Sequence, residues 1–252
     1  MDAVRPEFVP DPSLSRDEME QLQRDIAAAA VFEDDIDDVL ATALDDSFTD
    51  SRPLVAGVDQ GFHGDDATSA IVVMRDGTVV ERVHATERAE IPYIPGLLSF
   101  REGGAILSAF EHLECNPDVV LVDGSGRIHF REAGLATHIG VTLDVPTVGV
   151  AKSLLCGRPR QPIEQGLPEG TRVAIEADGD VTAPAGTVIG YAVQTRQYDS
   201  PDRHVNPLYV SPGHRVGAET AADLVARYAT EYKLPEPVRL ADRYADEVIG
   251  RR

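Results

Sequence analysis

Lysine is almost missing from this chain: of its 23 basic residues 21 are arginine, and the two lysines are Lys152 and Lys233. Cysteine is equally scarce, represented by Cys115 and Cys156. Two thiols cannot staple a disulfide miniprotein, and their spacing fits no zinc motif, so they read as reduced thiols of a cytoplasmic protein. Long apolar runs are missing too. The longest, Ile26 to Phe32, is mostly alanine and falls well short of the ~18 residues that span a bilayer. Met1-Asp2 opens acidically, which is wrong for a signal peptide, so no membrane association is expected.

Positive charge is in short supply: 43 Asp and Glu face 23 Lys and Arg, for a formal net charge of −20. Such a balance ordinarily argues against nucleic acid, because phosphate binding draws on clustered basic residues. The charge is unevenly spread, however. Residues 1–50 hold 15 acids and three arginines, whereas residues 51–252 hold 28 acids and 20 bases. Abundant carboxylate with little lysine suits a cytoplasm of very high salt and points to a halophilic source. The Debye length falls to ~3 Å at 1 M salt, so overall charge there steers a polyanion weakly. Composition therefore leaves nucleic acid open as a partner.

At 252 residues the chain has room for a sizeable core. Prolines 6, 10 and 12 precede Ser15-Arg16-Asp17-Glu18, a capping box that predicts a helix through about Ala30. The acidic run Glu33 to Asp38 and the polar segment Asp45 to Arg52 read as a solvated linker. Residues 1–52 are thus an acidic helical arm and linker, and 53–252 the main domain. From Pro53 short apolar runs alternate with Gly and Asp. Leu54–Val58, Ala70–Met74 and Val79–His84 are predicted strands, with Asp76-Gly77 as a hairpin turn. A helix is predicted over 97–113, strands over 119–122 and 147–150, and a helix over 134–143. Arg172–Glu176 and Val188–Thr195 form a strand pair, Leu208–Val210 a short strand, and Ala218–Tyr232 an amphipathic helix. The expected class is α/β, one mixed sheet flanked by helices.

Three acids stand where such a fold places chemistry. Asp59 and Asp123 each end an apolar strand beside glycine, and Glu102 lies on the helix between them. Taken singly, each reads as an ordinary turn or surface residue. Taken together, two strand-end aspartates can converge on a divalent cation, and hard oxygen ligands suit Mg²⁺ or Mn²⁺.

The motifs that carry these residues resemble endonuclease V. They are Leu54-Val-Ala-Gly-Val-Asp59, Pro92-Tyr-Ile-Pro-Gly-Leu-Leu-Ser-Phe-Arg-Glu102, Leu121-Val-Asp-Gly124, Gly134-Leu-Ala-Thr-His138 and Pro146-Thr-Val-Gly-Val-Ala-Lys-Ser153. Tyr209-Val-Ser-Pro-Gly-His214 and Pro235-Glu-Pro-Val-Arg-Leu-Ala-Asp242 follow in order, so the resemblance runs from about residue 53 to 245. It implies an RNase H-like fold and a metal-dependent DNA repair endonuclease that recognises deoxyinosine. The implied cut is at the second phosphodiester bond 3′ to the lesion, leaving 3′-hydroxyl and 5′-phosphate ends. Asp59, Glu102 and Asp123 fall on the family's catalytic, metal-binding acids, Lys152 on its active-site lysine, and His214 on an additional residue at the metal site. Ser211-Pro212-Gly213 is read as a turn projecting His214 from its strand.

By the same resemblance Pro92, Tyr93, Ile94 and Pro95 form a wedge that enters the base stack, and Gly96, Leu98, Gly126 and Gly134 form the base pocket. Main-chain groups there would distinguish hypoxanthine from adenine, and Gly134→Val is expected to harm cleavage far more than stability. Two segments depart from the family pattern: His129-Phe130-Arg131-Glu132, with Phe and Glu in place of Pro and a basic residue, and Gln60-Gly61-Phe62-His63. A monomer acting on deoxyinosine DNA is expected. Inosine-specific cleavage of RNA and non-catalytic lesion binding are the alternatives, the latter opposed by the complete acid set.

Overall fold

The computed structural model describes residues 1–37, 40, 52–163, 166–198 and 204–250. The expected linker residues 45–51, and Asp38 of the acidic run, lie outside them. Strands β1 (Val55–His63), β2 (Asp66–Arg75) and β3 (Thr78–Arg88) form an antiparallel meander. The β2–β3 turn is Asp76-Gly77 with φ of 49° and 74°, the doubly left-handed geometry that matches hairpin twist. Strands β4 (Val119–Asp123) and β5 (Thr147–Ala151) follow, β4 parallel to β1 and β5 parallel to β4. Further on come β6 (Arg158–Pro159), β7 (Arg172–Glu176), β8 (Val188–Val193) and β9 (Leu208–His214), all joined antiparallel. The described strands make one nine-stranded sheet in the order β3-β2-β1-β4-β5-β9-β8-β7-β6. The expected α/β mixed sheet is present.

Five helices are described: α1 (Arg16–Ala29), α2 (Leu98–Glu111), α3 (Leu135–Leu143), α4 (Ala218–Tyr228) and α5 (Glu236–Gly250). Strand side chains alternate between faces, and the core divides accordingly. Val120 and Val122 join Ala56, Val58, Ile106, Phe110 and Ile139 beneath α2 and α3. Val119 and Leu121 join Val55, Val148, Val150, Leu224 and Val238 beneath α4 and α5.

Several boundaries differ from expectation in ways that matter for the site. β1 does not end at Asp59; antiparallel pairing with β2 carries it on to His63. Its parallel pairing with β4 stops at Val58–Val122, so Asp59 and Asp123 are the next residues on neighbouring strands. Ser211-Pro212-Gly213 is not a turn but part of β9, with a bulge opposite Thr147–Val148, a place where a sheet tolerates proline. Helix α5 is not among the elements that periodicity predicts. Pro237 sits in the first helical turn, where its missing N–H costs nothing. A Cβ on Gly57 would collide with the Pro237 backbone, so glycine in β1 is what admits α5 to the sheet.

The N-terminal arm lies against this body. Ser15 caps α1 through a reciprocal box with Glu18. The Met1 ammonium donates to Phe110 O at 2.6 Å, and His138 Nε2 donates to Phe8 O at 2.7 Å. Past α1, Val31 O accepts from Arg215 N, and Asp34 accepts from Gly217 N and Thr220 Oγ1 at the start of α4. The acidic residue Asp34 is therefore a helix cap.

Candidate active site

Asp59 and Asp123 lie side by side at the edge where parallel pairing ends, and they share strand parity with Val55 and Val119, so both belong to the face covered by α5. From α5 comes a fourth acid, Asp242, beside Asp59. Burial first, then the neighbouring Asp123 charge and the Asp242 carboxyl, push Asp59 up to about 9. Glu102, one turn into α2 and 8% exposed, is pushed up to about 7 by burial and by Asp123, against the pull of Arg101. The site packs more carboxylate than it can keep ionised unaided. The sequence marks Asp242 only as the last residue of the Pro235–Asp242 motif, since its place beside Asp59 depends on where α5 docks.

Lys152 follows β5 and donates from Nζ to Asp123 Oδ2 at 2.6 Å. Burial works against its charge, but the Asp123 bond and the charges of Asp123, Asp59 and Asp242 outweigh it and hold the ammonium above its usual pKa. Lys233, the second lysine, lies in the loop before α5 with its carbonyl held by Thr195 Oγ1 at 2.7 Å. Its pKa is lowered by burial and by the charge of Lys152. Lys152 thus stands at the carboxylates, with Lys233 near enough to feel its charge.

Beside them opens a cavity of about 290 Å³ lined by, among others, Tyr93, Gly96, Leu98, Asp123, Gly134 and Lys152. Of the four expected pocket residues, Gly96, Leu98 and Gly134 line it and Gly126 does not. Gly126 is packed beneath β9, its N–H donating to Ser211 Oγ at 2.9 Å, and a Cβ there would strike Pro212 O. Gly134 lines the cavity but is tightly built in: a Cβ would strike Ser125 O. The expectation that Gly134→Val spares stability is therefore corrected, since the Ser125–Gly126 main chain would have to move. In the wedge segment Tyr93 is 64% exposed at the cavity rim, not packed into the core. Pro92 and Pro95 are exposed, while Ile94 packs beside Met19, Leu97 and Phe100.

His214 is not brought to this cluster. It pairs across the sheet with Thr147, at the opposite end of β5 from Val150, the partner of Asp123; three residues of strand separate them, roughly 10 Å. Its ring is buried, with Nδ1 accepting from Val31 N at 3.2 Å and Nε2 bonded to Asp144 Oδ1 at 3.1 Å. The absent turn is the reason: β9 stays in the sheet through His214. The departing segments are occupied internally. Glu132 pairs with Arg127 at 2.9 Å and accepts from Thr182. Phe62 lies under the Arg101 guanidinium, 4.5 Å from the ring centre, while Arg101 donates to Ile91 O.

Among the described residues no three His, Cys, Asp or Glu side chains are already gathered as a ligand set. The donor chemistry nevertheless fits a hard cation: oxygen ligands only, crowded closely enough that burial and a neighbouring carboxylate raise Asp59. Cys115 and Cys156 are free, with both thiols pushed up to about 12 chiefly by burial. No described helix is long and apolar enough to cross a membrane.

The endonuclease V family model matches residues 40–243. An endonuclease V of Haloarcula marismortui is 68% identical over 260 residues, covering 97% of this chain and 96% of its own. The crystal structure of a Bacillus subtilis endonuclease V superposes with a TM-score of 0.79 at 27% identity, covering 98% of this chain and 97% of its own. A Ciona intestinalis endonuclease V, solved with a 24mer DNA containing an inosine followed by a ribo-adenosine, shares the fold at a TM-score of 0.71 and 24% identity, covering 93% and 98% of the two chains. Relatives from halophilic archaea accord with the acidic, lysine-poor composition, and by the family-model match and these identities this chain belongs to the endonuclease V family.

Proposed function

We propose that this chain is a metal-dependent, cytoplasmic DNA repair endonuclease that accepts deoxyinosine in the cavity and hydrolyses the second phosphodiester bond on its 3′ side. The observation that carries the reading is that Asp123 and Lys152 belong at once to the carboxylate cluster and to the cavity lining. A base held in the cavity thus keeps its backbone beside the acids. The DNA seen with the Ciona relative contains inosine, and Gly96, Gly124 and Gly134 put main chain in the cavity wall.

Asp59, Asp123 and Glu102, joined by Asp242, are the groups to hold Mg²⁺ or Mn²⁺. Such an ion supplies a more acidic water and neutralises phosphate charge. Lys152 holds a compact positive charge at Asp123 Oδ2, placed to meet a phosphate oxygen or the attacking water. Lys233 adds positive charge on the α5 side, and no carboxylate among the described residues is paired with it. Tyr93, rigidly flanked by Pro92 and Pro95, is the group to fill the stack when the base leaves it. Hypoxanthine offers a carbonyl acceptor and an N1–H donor where adenine offers the reverse, so main-chain N–H and C=O groups can tell them apart.

The test is cleavage of matched DNA and RNA oligonucleotides, each with one inosine, in high salt with Mg²⁺, with product ends mapped. Cutting of the DNA one nucleotide beyond the inosine's own 3′ phosphodiester, leaving 3′-hydroxyl and 5′-phosphate, is expected. Preference for the RNA, where the 2′-hydroxyl is read, would reassign the substrate.

A further inference from the structure

The buried face of α1 carries Met19, Gln23 and Ile26, an apolar stripe with an amide at its centre. Gln23 is 1% exposed and lines the cavity. Its Nε2 donates to Gly96 O at 2.8 Å and, at 3.4 Å, to Ala133 O, carbonyls on two walls of that cavity. Its Oε1 accepts from Arg131 Nε at 2.7 Å, and Arg131 pairs with Glu20, one turn earlier on α1.

The Gly96 carbonyl takes a second bond, from His129 Nε2 at 3.1 Å. His129 Nδ1 accepts from Arg131 N, which puts the ring proton on Nε2. Both lone pairs of the Gly96 oxygen are thereby engaged, so this carbonyl has no capacity left for a base and acts instead as an anchor. Gly96 has a φ of +82° and closes the turn three residues after Tyr93.

We propose that Gln23 is a positioning residue for base selection: one amide of the N-terminal arm ties the wedge loop at Gly96 to the opposite wall at Ala133 and so sets the cavity between them. The proposal rests on reading that cavity as the base pocket. Apolar packing of Ile91 and Ile94 on Met19 and Leu97 keeps the loop attached, but it is non-directional. Hydrogen bonds orient the peptide units, and orientation is what hypoxanthine and guanine test, since they differ only by the 2-amino group.

The experiment compares the full chain with Gln23→Met, which keeps length and removes every polar contact, and Gln23→Glu, which keeps shape and the Arg131 partner but has no donor for Gly96 O. The kcat/KM on matched inosine and guanine DNA is measured in high salt with Mg²⁺, below each melting midpoint. Both variants are expected to lose about tenfold in the inosine-to-guanine ratio, mainly through KM on inosine. A residue that only supports the fold would lower both substrates together and leave the ratio unchanged. A wild-type chain without inosine preference would overturn the base-pocket reading. Wild-type preference with an unchanged ratio in either folded variant would overturn the role of Gln23 alone, as would failure of both variants to fold.

Discussion

Lys152 and Asp123 leave neighbouring parallel strands and meet with Nζ 2.6 Å from Oδ2, at the point where the cavity opens onto the carboxylates. The contact joins one of the chain's two lysines to an acid proposed to hold the metal, so a bound cation would share that carboxylate with the ammonium. Lys152→Met is expected to lower kcat on inosine DNA by roughly 10²-fold or more, the scale of losing one preorganised electrostatic contact. Metal binding to Asp123, followed by calorimetry, should survive. Lys152→Arg keeps the charge on a planar fork and should recover part of the rate; full activity in the Met variant would remove the assigned role.

Asp59→Asn, Asp123→Asn and Asp242→Asn are each expected to abolish cleavage while inosine-DNA binding persists, because an amide keeps the volume and discards the ligand charge. Glu102→Gln should lose most activity. Gel-shift affinity measured beside turnover separates the two effects, and near-normal turnover in the aspartate variants would sink the metal-site assignment.

The buried proton on Asp59 makes a pH prediction with a definite sign. Its folded pKa of about 9 lies above the 3.8 of a free aspartate, so the folded state holds a proton that the unfolded chain gives up. Stability from this group is complete below 3.8 and is lost as pH rises toward 9, by at most about 1.4 kcal/mol per pH unit. Without divalent metal, Asp59→Asn should therefore melt progressively higher than wild type as pH rises through that window, and no higher below it. Added Mg²⁺ should stabilise the wild type and release protons; parallel melting curves at all pH values would contradict the raised pKa of Asp59.

Tyr93→Ala should weaken binding to inosine DNA and leave the melting midpoint unchanged, since the ring is exposed. Undiminished affinity in a fluorescence titration would exclude the wedge.

Gly134→Val should lower the melting midpoint and cleavage together, because the new side chain would strike the Ser125 and Gly126 carbonyls. Normal melting with lost cleavage would show that the backbone there yields more easily than its contacts indicate.

Local chemistry wrote much of this molecule into the chain. The capping box at Ser15, the Asp76-Gly77 hairpin and the apolar runs of β1, β4 and β5 depend on neighbours a few residues apart, and they were readable. Asp59, Glu102, Asp123 and Lys152 were readable because their motifs are contiguous. What was not readable depends on register and docking. A bulge keeps β9 in the sheet and carries His214 to the far end, away from the acids. Close approach at Gly57 lets α5 lay Asp242 against Asp59. The amide of Gln23 finds Gly96 and Ala133 across gaps of 73 and 110 residues. Hydrophobic patterning tells a strand which face to bury, but it carries no term for which distant polar group will stand beside it; that pairing arises only when elements pack and buried donors and acceptors must find partners.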